Sequence, residues 1–112
     1  MNIKLVKWLG DSRERLKEFP EEMRGAAGFE LWEVQQGKDP ADWKPMPTVG
    51  LGVNEIRIRD GSGAYRILYV ARFSEAVYVL HAFAKKARKT PKPDIDLARK
   101  RFRELVQERK RR

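Results

Sequence analysis

The chain has no cysteine, a single histidine and no long hydrophobic run. Without cysteine it has neither disulfides nor thiolate chemistry, and with His81 as the one imidazole a metal site is not expected. Its longest apolar runs, residues 67–71 and 76–80, are far shorter than the roughly 20 residues of a membrane-spanning helix. The first 16 residues also lack the apolar core of a signal peptide. We therefore expect a cytoplasmic protein that needs no metal, no cofactor and no membrane.

Excess positive charge is also missing from the first three quarters of the chain. Residues 1–84 contain 12 Lys/Arg and 12 Asp/Glu, whereas residues 85–112 contain 13 and 4, so the last quarter carries the whole net charge of +9. Such an asymmetry indicates a polyanionic partner, either nucleic acid or an acidic protein surface. The alternative is a solvated helix whose basic residues only confer solubility. Length and composition favour one domain over residues 1–112.

Hydrophobic periodicity and turn residues predict a mixed fold. We expect strands at residues 2–8, 53–60, 64–72 and 76–84, and helices at residues 12–18, 20–37 and 94–109. A structured loop at residues 38–53 and a basic connector at residues 85–93 join them. The predicted class is α+β: a small antiparallel sheet, made of a short N-terminal strand and a three-stranded meander, packed by two N-terminal helices and a C-terminal basic helix.

Cationic side chains are expected on this sheet or just beyond it. They are Arg57, Arg59, Arg66, His81, Lys85 and Lys86. Cations on a rigid platform suit a phosphodiester substrate, because they contact phosphate and stabilise charge in a transition state. The alternative for each arginine is a solvated cross-strand charge that pairs with Glu55 or Glu75. Strand alternation places His81 with Val77, Val79 and Phe83, a setting in which a lone histidine is more often a core residue than a catalyst.

A series of motifs in the second half of the chain has a distinctive order and spacing. The motifs are Trp43-Lys44-Pro45-Met46, Glu55-Ile56-Arg57, Tyr65-Arg66-Ile67-Leu68-Tyr69, Val79-Leu80-His81-Ala82-Phe83, Lys85-Lys86, Lys89-Thr90-Pro91 and Asp94-Ile95-Asp96-Leu97-Ala98. Together with the order of the elements, they resemble the RelE/HigB superfamily of toxins from type II toxin–antitoxin modules, and more narrowly its phage-derived HigB-like branch. Residues 43–105 carry the resemblance, and the first 40 residues match only in pattern.

The resemblance implies a RelE-like fold and an mRNA endoribonuclease that acts in the ribosomal A site without a metal. It implies catalytic roles for Arg66, Lys85 and Lys86. Arg57 is a further catalytic candidate because it shares a strand face with Arg59 and could extend the same patch, and His81 is one because its unperturbed pKa lies near neutrality. The candidates for RNA contacts are Arg59, Arg88 and Lys89. The implied partners are the ribosome with its mRNA and a helix-turn-helix antitoxin. The toxin would be recruited to operator DNA only by binding this antitoxin.

One departure from the family pattern concerns proton transfer. Ribosome-dependent RelE nucleases often use a tyrosine near the C-terminus, and this chain has no tyrosine after Tyr78. Proton transfer would then fall to His81, a lysine or an acid such as Asp94. Two other functions stay open, because related ParE toxins poison DNA gyrase on the same fold and a basic nucleic-acid-binding module would have a similar tail.

Overall fold

The computed structural model describes residues 2–86 and 88–112. Within those residues the chain forms three helices and five strands. In chain order they are β1 (Leu5–Trp8), α1 (Ser12–Lys17), α2 (Glu21–Gln35), β2 (Trp43–Pro45), β3 (Val53–Asp60), β4 (Gly63–Val70), β5 (Ala76–Lys85) and α3 (Lys92–Lys110). The α+β class is confirmed, and the arrangement is consistent with a RelE-like fold.

The strands form one sheet in the order β1-β5-β4-β3-β2. Strands β2 to β5 are antiparallel to their neighbours, while β1 lies parallel to β5 at the opposite edge. The predicted meander is therefore confirmed, but β1 begins three residues later than expected. The predicted loop at residues 38–53 was wrong in part, since Trp43–Pro45 pairs with β3 and extends the sheet.

Helices cover both faces of the sheet. Helices α1 and α2 pack on the face that carries Ile56 and Ile67, where Met23 and Leu31 belong to the same apolar cluster. Helix α3 packs on the other face through a separate apolar cluster that contains Leu68. Because central strands β4 and β5 are covered on both sides, they read as continuous apolar runs in the sequence.

Prolines fix where two of the helices start. Pro20 occupies the capping position of α2, one residue before the helix that it was expected to begin. Helix α3 begins at Lys92, two residues earlier than predicted, with Pro93 in its first turn. A proline is tolerated there because the first N–H groups of a helix have no intrahelical partner. None of the helices in residues 2–86 and 88–112 is long and apolar enough to cross a membrane.

A bulge in β5 changes which face its side chains occupy. Leu68 of β4 pairs with His81, but the next residue, Tyr69, pairs with Val79, so that Leu80 is the extra residue. Val79 lies in the cluster of α1 and α2, whereas Leu80 lies in that of α3. After the bulge, His81 faces α3. The expectation that His81 shares a face with Val77 and Val79 was therefore wrong, because a bulge breaks the two-residue period.

Candidate functional site

The strand register places the predicted arginines and Lys85 on one face of the sheet. On the α3 side, three cross-strand rows follow one another toward the β3–β4 turn. The rows are Glu55–Leu68–His81, Arg57–Arg66–Phe83 and Arg59–Ala64–Lys85. Helix α3 packs over the apolar part of this face, and the second and third rows carry the cations. We call Arg57, Arg59, Arg66 and Lys85 the cationic rows.

Arg66 lies at the centre of the cationic rows and is only 6% exposed. Its Nη1 donates a hydrogen bond to the Tyr65 carbonyl at 3.1 Å, and its Nε lies 3.5 Å from Oε1 of Glu55. Burial lowers the pKa of Arg66 from its ordinary 12.5, and the carboxylate of Glu55 opposes that shift. An arginine nevertheless stays protonated at any physiological pH. The structure thus holds a permanent, orientated positive charge between two strands.

Glu55 is fully buried, with 0% exposure. Its Oε2 accepts a hydrogen bond of 2.7 Å from Oγ1 of Thr90, in the connector before α3. A buried carboxylate needs such partners, because an isolated buried charge is very costly. The alternative predicted for Arg66 was right about the pairing with Glu55 and wrong about solvation, since both members of the pair are buried. Glu55 ties the connector to the sheet and neutralises part of the charge of the cationic rows.

Lys85 ends β5 on the same face and is half-buried. Burial is the main cause that lowers the pKa of its amine below the ordinary 10.5, and the neighbouring charge of Arg66 lowers it further. Lys44 of β2 acts in the same direction, while Glu55 opposes it. A lysine with a lowered pKa spends more of its time as a neutral amine, which is the form that accepts a proton.

The remaining basic candidates, Lys86, Arg88 and Lys89, are exposed and lie in the connector. Lys86 lines a groove of about 290 Å³ at the edge of β5, together with Phe83 and Asp94. Arg88 and Lys89 precede Thr90, whose hydrogen bond anchors the connector. These three cations therefore follow Lys85 in the chain and are open to a large ligand.

His81 is 2% exposed and does not share the accessible surface of the cationic rows. Its Nε2 lies 2.6 Å from Oδ1 of Asp94 in the first turn of α3, and its ring stacks on Phe83 with centroids 5.2 Å apart. Burial lowers the pKa of His81 below its ordinary 6.5, although Asp94 pulls in the opposite direction. A neutral ring donating to Asp94 fastens the start of α3 to β5.

The sequence interpretation did not assign roles to Lys44, Glu55 and Thr90. Lys44 is exposed and lies opposite Glu55 in the β2–β3 register, so it extends the first row. Alternation along β3 did place Glu55 on the face of Arg57, but nothing in the local pattern indicated its complete burial. Thr90 and its partner Glu55 are 35 residues apart in the chain, so no helix or strand periodicity could predict their hydrogen bond.

Residues 14–103 match the family described as phage-derived protein Gp49-like (DUF891). The match covers most of the chain. This chain belongs to the Gp49-like family. That family is toxin-like and of the RelE/HigB type. No curated protein matches the chain.

The matched segment of this Gp49-like protein contains every candidate site residue from Lys44 to Asp94. Its cationic rows offer guanidinium groups, whose planar geometry matches phosphate oxygens, beside an amine with a lowered pKa. In the part of the chain that the structure describes, no three His, Asp or Glu side chains are grouped so as to hold a metal ion. The chemistry that these residues can supply themselves is phosphate binding, charge stabilisation and proton transfer.

Proposed function

We propose that this protein is a toxin that arrests translation by cleaving mRNA on the ribosome. The observation that carries the proposal is the cross-strand row Arg57–Arg66–Phe83. Its central residue, Arg66, is buried, and Lys85 lies on the same face of the sheet. Membership of a toxin-like family supports the same conclusion.

The proposed reaction is attack by the 2′-hydroxyl of RNA on the adjacent phosphate. The neutral amine of Lys85 takes the proton of the 2′-hydroxyl, the new O–P bond closes a 2′,3′-cyclic phosphate, and the bond to the 5′-oxygen breaks. Lys86 delivers a proton to that leaving oxygen. Arg66 and Arg57 stabilise the additional negative charge on the phosphate in the transition state, a contribution that commonly reaches about 100-fold to 1,000-fold in rate.

This assignment also explains why RNA is the proposed substrate. Only RNA supplies the 2′-hydroxyl that acts as nucleophile. Arg59 of the third row and Arg88 and Lys89 of the connector are the proposed contacts to flanking phosphates, since all three are exposed. The basic tail and α3 suit the polyanionic surface of a ribosome, and a helix-turn-helix antitoxin is the proposed inhibitor.

The test is cell-free translation of a reporter with the purified chain, followed by primer extension on the mRNA with and without ribosomes. We expect cuts only where ribosomes translate. Arg57→Gln, at a partly exposed position, should lower the cleavage rate by about 100-fold with an unchanged circular dichroism spectrum. Arg13→Gln, which removes the same charge from the exposed surface of α1 on the other face of the sheet, should cleave like the parent protein.

Other outcomes would reject the proposal in distinct ways. Intact mRNA with normal translation would reject the nuclease, and cleavage of DNA by gyrase in the presence of the chain would replace it with a ParE-like activity. Equal activity of Arg57→Gln and Arg13→Gln would leave the nuclease standing and reject the cationic rows as its site.

A further inference from the structure

The outward face of α2 exposes two large aromatic side chains. Phe29 is 59% exposed and Trp32 is 45% exposed. Because residues three apart are neighbours on a helix surface, the two rings form one stripe. The core stripe of the same helix, which includes Ala27 and Leu31, lies on the opposite side. Exposed aromatic patches of this kind are unusual on a protein surface unless a partner covers them.

Two glycines share that outward face and have no explanation within the chain. Gly25 and Gly28 lie in the helix interior, and a Cβ built at either position meets no atom within 4 Å. Neither residue has a positive φ, so the backbone does not require glycine. Glycine inside a helix is destabilising relative to alanine. Because glycine has no side chain, however, the backbone of a second helix can approach α2 closely at these two positions. That close packing would stabilise α2 only in contact with a helix from outside the chain.

The charges around the stripe indicate which kind of helix would fit. Glu33, on the flank of α2, already lies 3.6 Å from Nζ of Lys38, and Arg24 is the single basic residue among residues 21–35. Glu21 and Glu22 are exposed at the start of the helix. A helix with Lys or Arg beside its apolar stripe would pair with these carboxylates. A second copy of this chain would instead bring the same carboxylates to its own α2, and like charges at a contact are unfavourable.

We propose that the outward face of α2, formed by Gly25, Gly28, Phe29 and Trp32, is the docking surface for an amphipathic helix of a partner protein. The contact stripe of that helix is small or aliphatic, and its flanking positions are basic where they lie over Glu21 and Glu22. Helix α2 packs on the sheet face opposite to α3 and to the cationic rows. A partner seated there leaves the cationic rows uncovered. The proposal is independent of the nuclease activity.

The test is a selection from a phage-displayed library of amphipathic helices against the full chain. The apolar stripe is restricted to Ala, Leu and Ile, and the flanking positions are randomised among Lys, Gln and Glu. The most enriched sequence is then synthesised, its affinity is measured by titration, and its footprint is mapped by amide chemical shifts. We expect enrichment of Lys at the flanks and a footprint on α2.

Variants separate docking from folding. Gly28→Gln should raise the melting temperature, since glutamine favours a helix, and yet weaken binding of the selected peptide roughly tenfold or more. Charge reversal by Glu21→Lys should weaken the same peptide and strengthen its counterpart with Glu at the flanks. Leu51→Gln is the matched control, because Leu51 is 77% exposed in a loop whose Val49 packs in the cluster of α3, and it should change neither result.

Several results would overturn the proposal. These are enrichment of acidic flanks, a footprint on α3, binding that Gly28→Gln leaves unchanged, or the absence of any enrichment. Self-association of the chain that Gly28→Gln abolishes, measured by sedimentation equilibrium, would replace the partner helix with a second copy.

Discussion

Replacing Glu55 with glutamine keeps the shape of the side chain and removes its negative charge. Glutamine can still accept the hydrogen bond that Thr90 donates, so the connector keeps its anchor. Arg66, however, loses the carboxylate 3.5 Å from its Nε and stays buried as a positive charge without a counterion. The substitution therefore tests the pair, and not the packing around it.

The expected loss follows from the distance and the burial. Two unit charges 3.5 Å apart attract each other by about 5 kcal/mol at an effective dielectric constant of about 20. Breaking a buried ion pair by removing one partner typically destabilises by about 3–5 kcal/mol. We expect a loss in this range, which lowers the melting temperature by roughly 12–20 °C for a domain of this size.

The assay is urea unfolding followed by tryptophan fluorescence, applied to Glu55→Gln, Arg66→Met and the double variant. Since the double variant contains neither charge, it should be more stable than Glu55→Gln, and the cycle should give a coupling energy of about 2 kcal/mol. Glu14→Gln is the control, because it removes an exposed carboxylate and should change stability by less than about 0.5 kcal/mol.

Two results would refute the reasoning. A loss below about 1 kcal/mol in Glu55→Gln would mean that water reaches the pair and screens its charges. A coupling energy near zero would mean that Glu55 stabilises the fold through Thr90 and not through Arg66.

Three further predictions concern single positions. Burial holds the pKa of His81 below 6.5, so His81 binds fewer protons in the folded chain than in the unfolded chain. The free energy of unfolding should therefore fall as the pH drops below 6.5. Urea unfolding from about pH 7.5 to about pH 5 should show that His81→Asn has lost this pH dependence. Lys85→Arg keeps the positive charge but cannot lose its proton, so we expect cleavage to slow about 100-fold. The cleavage rate of the parent should rise toward alkaline pH and level off below pH 10.5, because the pKa of Lys85 is lowered, and this rise should disappear in the variant. Gly50→Ala drives a Cβ into the ring of Phe102 and should cost about 1–3 kcal/mol in urea unfolding. Gly61→Ala lacks this clash, because a Cβ built there meets no atom within 4 Å.

Much of the fold followed from local patterns. The four-residue and three-residue spacings of α2 and the turn at residues 60–63 were enough to predict a helix and a hairpin, because helix and hairpin signals are contained within a few residues. Strand alternation likewise put Arg57 and Arg59 on one face of β3. The basic last quarter of the chain is a property of composition and needed no structure.

The remaining features depended on contacts between distant residues. The pairing of β2 with β3, the parallel pairing of β1 with β5 and the bulge at Leu80 are set by neighbouring strands, so alternation along β5 alone assigned His81 to the wrong face. The sequence determined which charged groups the chain carries and, through strand alternation, which of them share a face of β3. Only the tertiary structure decided that Glu55 and Arg66 are buried together, because desolvation depends on what the rest of the chain places over a side chain.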